Sequence, residues 1–115
     1  MLTGEAILQC DDLARERVKV PEWGGGELYA RSMRGDELAA LHKLLREDEA
    51  AGRDLVMARM VCACACGADG ELLFKPGQAE AVARKNGLAL TRVFLVAERL
   101  NPLSVEGMEE MRKNS

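Results

Sequence analysis

Val18-Lys19-Val20-Pro21-Glu22-Trp23-Gly24-Gly25-Gly26, followed by Leu28-Tyr29-Ala30-Arg31, is the stretch that decides the fold. Val18 and Val20 alternate with Arg17 and Lys19, which is the period of a strand with one face buried. Pro21 to Gly26 then supplies turn residues, and Leu28 to Arg31 resumes in extended style. Two such runs about a glycine-rich turn predict a β-hairpin over about residues 17–32. A lone hairpin is marginal in water, so it must lean on helices or on a second subunit.

Outward from the hairpin, the period changes to that of helices. Thr3 is placed to cap a short helix over about 4–10, with Ala6, Ile7 and Cys10 on one side. Gly35-Asp36 opens a helix over about 36–51, in which Leu38, Leu41, His42 and Leu45 share a stripe that Leu44 widens. Gly52 is read as its end, and a more apolar helix over about 54–66 follows as the best candidate for the centre of the fold. Further helices are expected over about 77–85, closed by Asn86-Gly87, and over about 89–100, closed by Asn101-Pro102. A short terminal helix over 105–113 is expected after the Ser104 cap. The expectation is a mostly α (α+β) protein of about five helices plus one β-hairpin, forming a single small domain over residues 1–115.

Composition narrows the function. With 48% hydrophobic and 30% charged residues the chain is globular rather than disordered. Sixteen basic and 19 acidic residues are interleaved to a net charge of −3, and no cluster of Lys and Arg forms a phosphate-tracking patch, so nucleic acid is not an expected partner. The longest apolar stretch, Leu55 to Cys66, contains Arg59 and falls short of the roughly 20 residues that span a bilayer. The start of the chain lacks the basic region of a signal peptide, so the protein is expected to be soluble, cytoplasmic and not exported.

Candidate chemistry is sparse. Cys62, Cys64 and Cys66 stand two apart, and on a helix such neighbours point about 200° apart, so they do not converge on one tetrahedral ion. Small buried thiols are the favoured reading, with a metal- or thiol-dependent role as the weaker one. His42, the only histidine, lies on an apolar stripe with no nucleophile in a recognisable setting around it. Trp23-Gly24-Gly25-Gly26 lacks the Lys-[Ser/Thr] of a phosphate loop, and Asp69-Gly70 lacks the alternating acids of a calcium loop. No catalytic residue, metal ligand or cofactor is assigned, and the protein is expected not to be an enzyme. Contact residues for partners are sought instead in Trp23 and Leu28 on the hairpin and in Met108 and Met111 on the last helix. Trp23 is equally a core anchor or an exposed contact residue, and the alternative for all four is a core or subunit-contact position.

Taken along its length, the chain resembles the tail assembly chaperones of long-tailed, lambda-like phages. Leu2-Thr3-x-Glu5-x-Ile7-Leu8 with Asp11-Asp12-Leu13 resembles that family's opening helix, and the hairpin stretch is the most distinctive piece. Met33-Arg34-Gly35-Asp36-Glu37 resembles the start of its long helix. Asp69-Gly70 with Leu73-Phe74, then Arg92-Val93-Phe94 through Arg99-Leu100-Asn101 with Leu103-Ser104, resembles its C-terminal half. The Cys-Ala-Cys-Ala-Cys run and the three-glycine turn depart from the pattern.

The resemblance implies a phage or prophage product that holds the tape measure protein soluble, helps recruit tail tube subunits, self-associates, and leaves before the virion is complete. The family is usually made in two lengths by ribosomal slippage. Arg112-Lys113-Asn114 could be encoded so as to spell a slippery heptamer near the end of the reading frame. A structural component of the tail is the alternative reading.

Overall fold

The computed structural model of the protein describes residues 1–47 and 49–102, with the backbone alone described over 49–54. The hairpin is present and slightly longer than its alternation suggests. Strand β1, Arg15–Val20, pairs antiparallel with β2, Gly26–Arg31, in the register Val18↔Leu28 and Val20↔Gly26. Pro21–Trp23 forms a 3-10 turn, and Gly24 and Gly25 follow at φ of 70° and 72°, a left-handed conformation that glycine adopts without steric cost. Val18, Val20, Leu28 and Ala30 point into the core, whereas Arg15, Arg17 and Lys19 alternate with them on the solvent face.

Five helices accompany the hairpin among the described residues. Helix α1, Gly4–Gln9, is capped by Thr3, whose hydroxyl accepts from Ala6 N at 3.2 Å. Helix α2, Gly35–Glu47, buries Leu41. Helix α3 runs from Glu49 to Cys64, helix α4 from Ala79 to Ala83, and helix α5 from Gly87 to Leu100.

Two boundaries differ from those expected. Gly52 does not stop a helix but lies inside α3, because a glycine costs only about 1 kcal/mol within a helix whose packing outweighs it. Asn86 does not close a helix but opens α5, its side chain accepting from Ala89 N at 3.0 Å.

The sheet also has a third strand. Ala65–Cys66 was expected as the end of a helix and forms instead strand β3, in which Tyr29 faces Cys66 and Ala30 faces Ala65 across an antiparallel pair. The chain passes from α3 into β3 with no intervening residue, turns at Gly67–Gly70, and adds an isolated bridge between Cys66 and Leu72.

α3 is the central helix, and the cysteine run explains how it serves two sides. Cys62 joins Val18, Val20, Val61, Leu90 and Val93 in one apolar cluster, while Cys64 joins Met33, Leu41, Met60 and Ala97 in another. Side chains two apart on a helix diverge widely, so small apolar residues at both positions suit a helix buried on both faces. α5 closes the first cluster through Ala89, Leu90 and Val93.

Candidate functional site

The described surface holds an apolar groove of about 230 Å³ between α2, α3 and the segment after β3. Its floor is Met33, Leu41, Cys62 and Ala63, and its lips are Leu44 on one side with Leu72 and Pro76 on the other. Leu44 and Leu72 are 38% and 40% exposed, which is costly for leucine unless something covers them. Leu73, adjacent to the groove lip, is also exposed.

Local structure holds both lips in place. Leu44 sits on the outward turn of α2, widening an apolar stripe whose centre is the buried Leu41. Leu72 is carried by the turn after β3, where Gly67 N donates to Glu71 O and Leu73 N donates to Ala65 O, both at 3.0 Å. Asp69 Oδ1 accepts from Glu71 N at 3.0 Å, and Gly70 takes the left-handed position with φ 85°.

One charged group on the rim is fixed. Arg31 Nη2 donates to Glu37 Oε2 at 2.6 Å, with the arginine side chain largely buried. That hydrogen bond is the first cause that holds the Glu37 carboxyl below the usual carboxylate range, and the Arg34 backbone N–H and the two arginine charges add to it against desolvation. A pre-organised acid therefore stands at one end of the groove, with Arg59 further along its wall.

Of the residues expected to make contacts, Trp23 is half-buried and packs against the first core cluster. Its exposed side joins Phe74, Gln78, Val82 and Lys85 in a shallower cleft of about 420 Å³. The turn that carries it is clamped to α5 by Arg92, whose Nε and Nη2 donate to the two Glu22 oxygens at 2.8 and 3.0 Å. Leu28 is 8% exposed and belongs to the core. Met108 and Met111, and Arg112, Lys113 and Asn114, lie outside the described residues.

Sequence reading missed Leu72, Leu73 and Phe74 as surface features. The available signal was an apolar run too short for a buried element and flanked by turn residues.

The thiols of Cys62, Cys64 and Cys66 are buried and free. Burial pushes all three above the ordinary thiol range, Cys64 up to about 12. Such thiols are inert as nucleophiles near neutral pH. Among the described residues no three His, Cys, Asp or Glu side chains are grouped so as to hold a metal ion, and no helix is long and apolar enough to cross a membrane.

Comparison with known proteins bears on the fold. No protein-family model and no curated protein sequence matches the chain. Among solved structures, the tail assembly chaperone of bacteriophage HK97 is similar, with a TM-score of 0.62 at 17% sequence identity. The match covers 87% of this chain and 96% of that one. This protein therefore shares the fold of a solved phage tail assembly chaperone over most of both chains.

Proposed function

We propose that this protein is a non-catalytic phage tail assembly chaperone that binds the tape measure protein and keeps it soluble while tail tube subunits are recruited. The single observation that carries the reading is the shared fold over nearly the whole of both chains. The apolar groove gives the reading a mechanism. A long amphipathic client helix in water needs its apolar stripe covered, and a groove between two helices takes such a stripe through side chains at i, i+3 and i+4. Leu44 and Leu72 are the lips that would close on it.

The same reading places the protein in the cytoplasm of the host bacterium and outside the finished virion, and it includes self-association and a longer form made by slippage near Lys113. The deciding experiment is co-expression with a tape measure protein. The client is expected in the soluble fraction with the wild-type chain and in the pellet with Leu44→Asp/Leu72→Asp. A client equally insoluble with and without the wild-type chain ends the proposal. Mass spectrometry of products from the native gene with its downstream DNA tests the second form, and purified particles containing the chain in stoichiometric amount would point instead to a structural tail component.

A further inference from the structure

α2 and α5 both pack on α3 and make little contact with each other, so a furrow runs between them with α3 as its floor. Leu38 and Leu45 border it from α2 and Phe94 from α5, each half-buried and packed against the cluster that contains Met60, Cys64 and Ala97. The furrow flank of α2 is not the client flank. Residues 38, 42 and 45 fall on one side of the buried Leu41, and residues 37, 40 and 44 fall on the other. His42 therefore stands in the furrow wall, and its Nε2 is buried without a hydrogen-bond partner among the described residues. Buried polar atoms are rarely left so in a folded protein.

At the end of α5 the furrow opens into a cleft of about 660 Å³, with Leu13, Met33, Leu38, Leu100 and Pro102 among its lining. Residues 103–115 follow directly on Pro102, so that part of the chain sets out from inside this cleft. Pro102 does not line the client groove. The sequence beyond Pro102 suits the furrow. Leu103 matches the apolar lining of the cleft, Ser104 is a helix cap, and Val105, Met108 and Met111 recur at i, i+3 and i+6. As a helix, Val105 to Met111 rises about 9 Å, against about 10.5 Å from Leu38 to Leu45 along α2. Methionine also suits a site walled by leucine and phenylalanine, because its unbranched thioether adapts to irregular gaps.

We infer that residues 103–113 fold back along α5 and lie in the α2–α5 furrow of their own chain as a latch. Val105 then lies beside Leu38, Met108 beside His42, and Met111 between Leu45 and Phe94. Glu109 is one turn beyond Val105, as His42 is one turn beyond Leu38, so its carboxylate comes level with Nε2 and supplies the missing acceptor. The latch does not depend on the chaperone reading. It assigns Met108 and Met111 to the chain's own furrow rather than to a client, and it leaves the client groove open on the other flank of α2.

NMR of the full chain labelled with 13C at the methionine methyls tests this. Of the six methionine signals, those of residues 108 and 111 are identified by their loss in Met108→Leu and Met111→Leu, and His42 is the only histidine, so its ring protons need no assignment. The expected result is a cross-peak from the Met108 methyl to the His42 ring and one from the Met111 methyl to the Phe94 ring. Methyl signals at the shifts of free methionine with no such cross-peaks overturn the inference, and so do cross-peaks to Leu44 or Leu72 of the client groove. In a mixture of labelled and unlabelled chains, cross-peaks found only between the two kinds place the segment on a second copy and overturn it equally. Met108→Asp/Met111→Asp in the full chain supplies a second readout. Amide exchange over residues 38–45 is expected to rise about tenfold or more while that of β1 and β2 stays the same, and unchanged exchange in α2 refutes the latch. Should that variant lose the wild-type circular dichroism spectrum, Met108→Ser carries the same measurement.

Discussion

Asn101 Oδ1 accepts a hydrogen bond from Met33 N at 2.7 Å, joining residues 68 apart in sequence. Its Nδ2 donates to Arg31 O and to Ala97 O, both at 3.0 Å, and lies 3.5 Å from Cys64 Sγ. One buried amide thus ties the end of β2, the start of the segment leading to α2, the end of α3 and the last turn of α5. Asn101→Ala leaves the Met33 N–H without its partner in a dry setting and removes the side-chain donor to Arg31 O, which costs about 2–3 kcal/mol. Urea denaturation is the check, and a loss under about 0.5 kcal/mol would mean that the network is not holding these elements.

The Arg31–Glu37 pair makes stability depend on pH with a definite sign. A carboxylate whose folded pKa is depressed contributes stability above its unfolded pKa, about 4.3 for glutamate, and loses it as pH falls through the folded value. Glu37→Gln is expected to lower stability by about 1–2 kcal/mol at pH 7, between the worth of exposed pairs and of fully buried ones. The gap between wild type and variant should close as pH is lowered from about 5 to below the depressed value. Thermal melts of both proteins across that range test it, and a gap that widens in acid contradicts the assignment.

Thiol labelling separates the four cysteines. Cys10 is exposed, whereas Cys62, Cys64 and Cys66 are buried with their thiols held neutral. Iodoacetamide at pH 8 is expected to add one label to the folded chain, at Cys10, and four after denaturation. Rapid labelling at Cys62 or Cys66 in native buffer would show that the α3–β3 junction opens.

Gly70 has φ 85°, and a Cβ added there would meet Arg15 Nη1 at 2.9 Å. The arginine end can swing aside, so the backbone conformation decides the cost. Gly70→Ala is expected to destabilise by about 1–2 kcal/mol through the left-handed strain. Calorimetry tests it, and a change of Tm within error would mean that the turn has another conformation available.

The fold was legible where its signals are local. Alternation of Val18 and Val20, the three-glycine turn, the Thr3 cap and the apolar stripe of α5 each lie within a few residues, and each was read correctly in kind. β3 was not legible, because two residues have no period of their own. Ala65 and Cys66 are a strand only because Ala30 and Tyr29 are folded beside them. The groove was illegible for the same reason. Leu44 looked like the widening of a stripe, and Leu72 belongs to a turn, so nothing in either stretch announces that they face one another. Trp23 was singled out for its residue type, but its partner Phe74 comes from across the fold.

α5 has a consequence for the order of events at the ribosome. It supplies Ala89, Leu90 and Val93 to the cluster that covers Val18, Val20 and Leu28, so the hairpin made first is roofed by the described helix made last. Until α5 leaves the exit tunnel, a nascent chain has the α3 side of that cluster, Ala58, Val61 and Cys62, but no α5 side to cover the sheet face, and completion of the fold waits for it. Ribosomes stalled with α5 still inside the tunnel should therefore hold chains that proteases cut freely within β1 and β2, and release of the full helix should protect both strands in a single step.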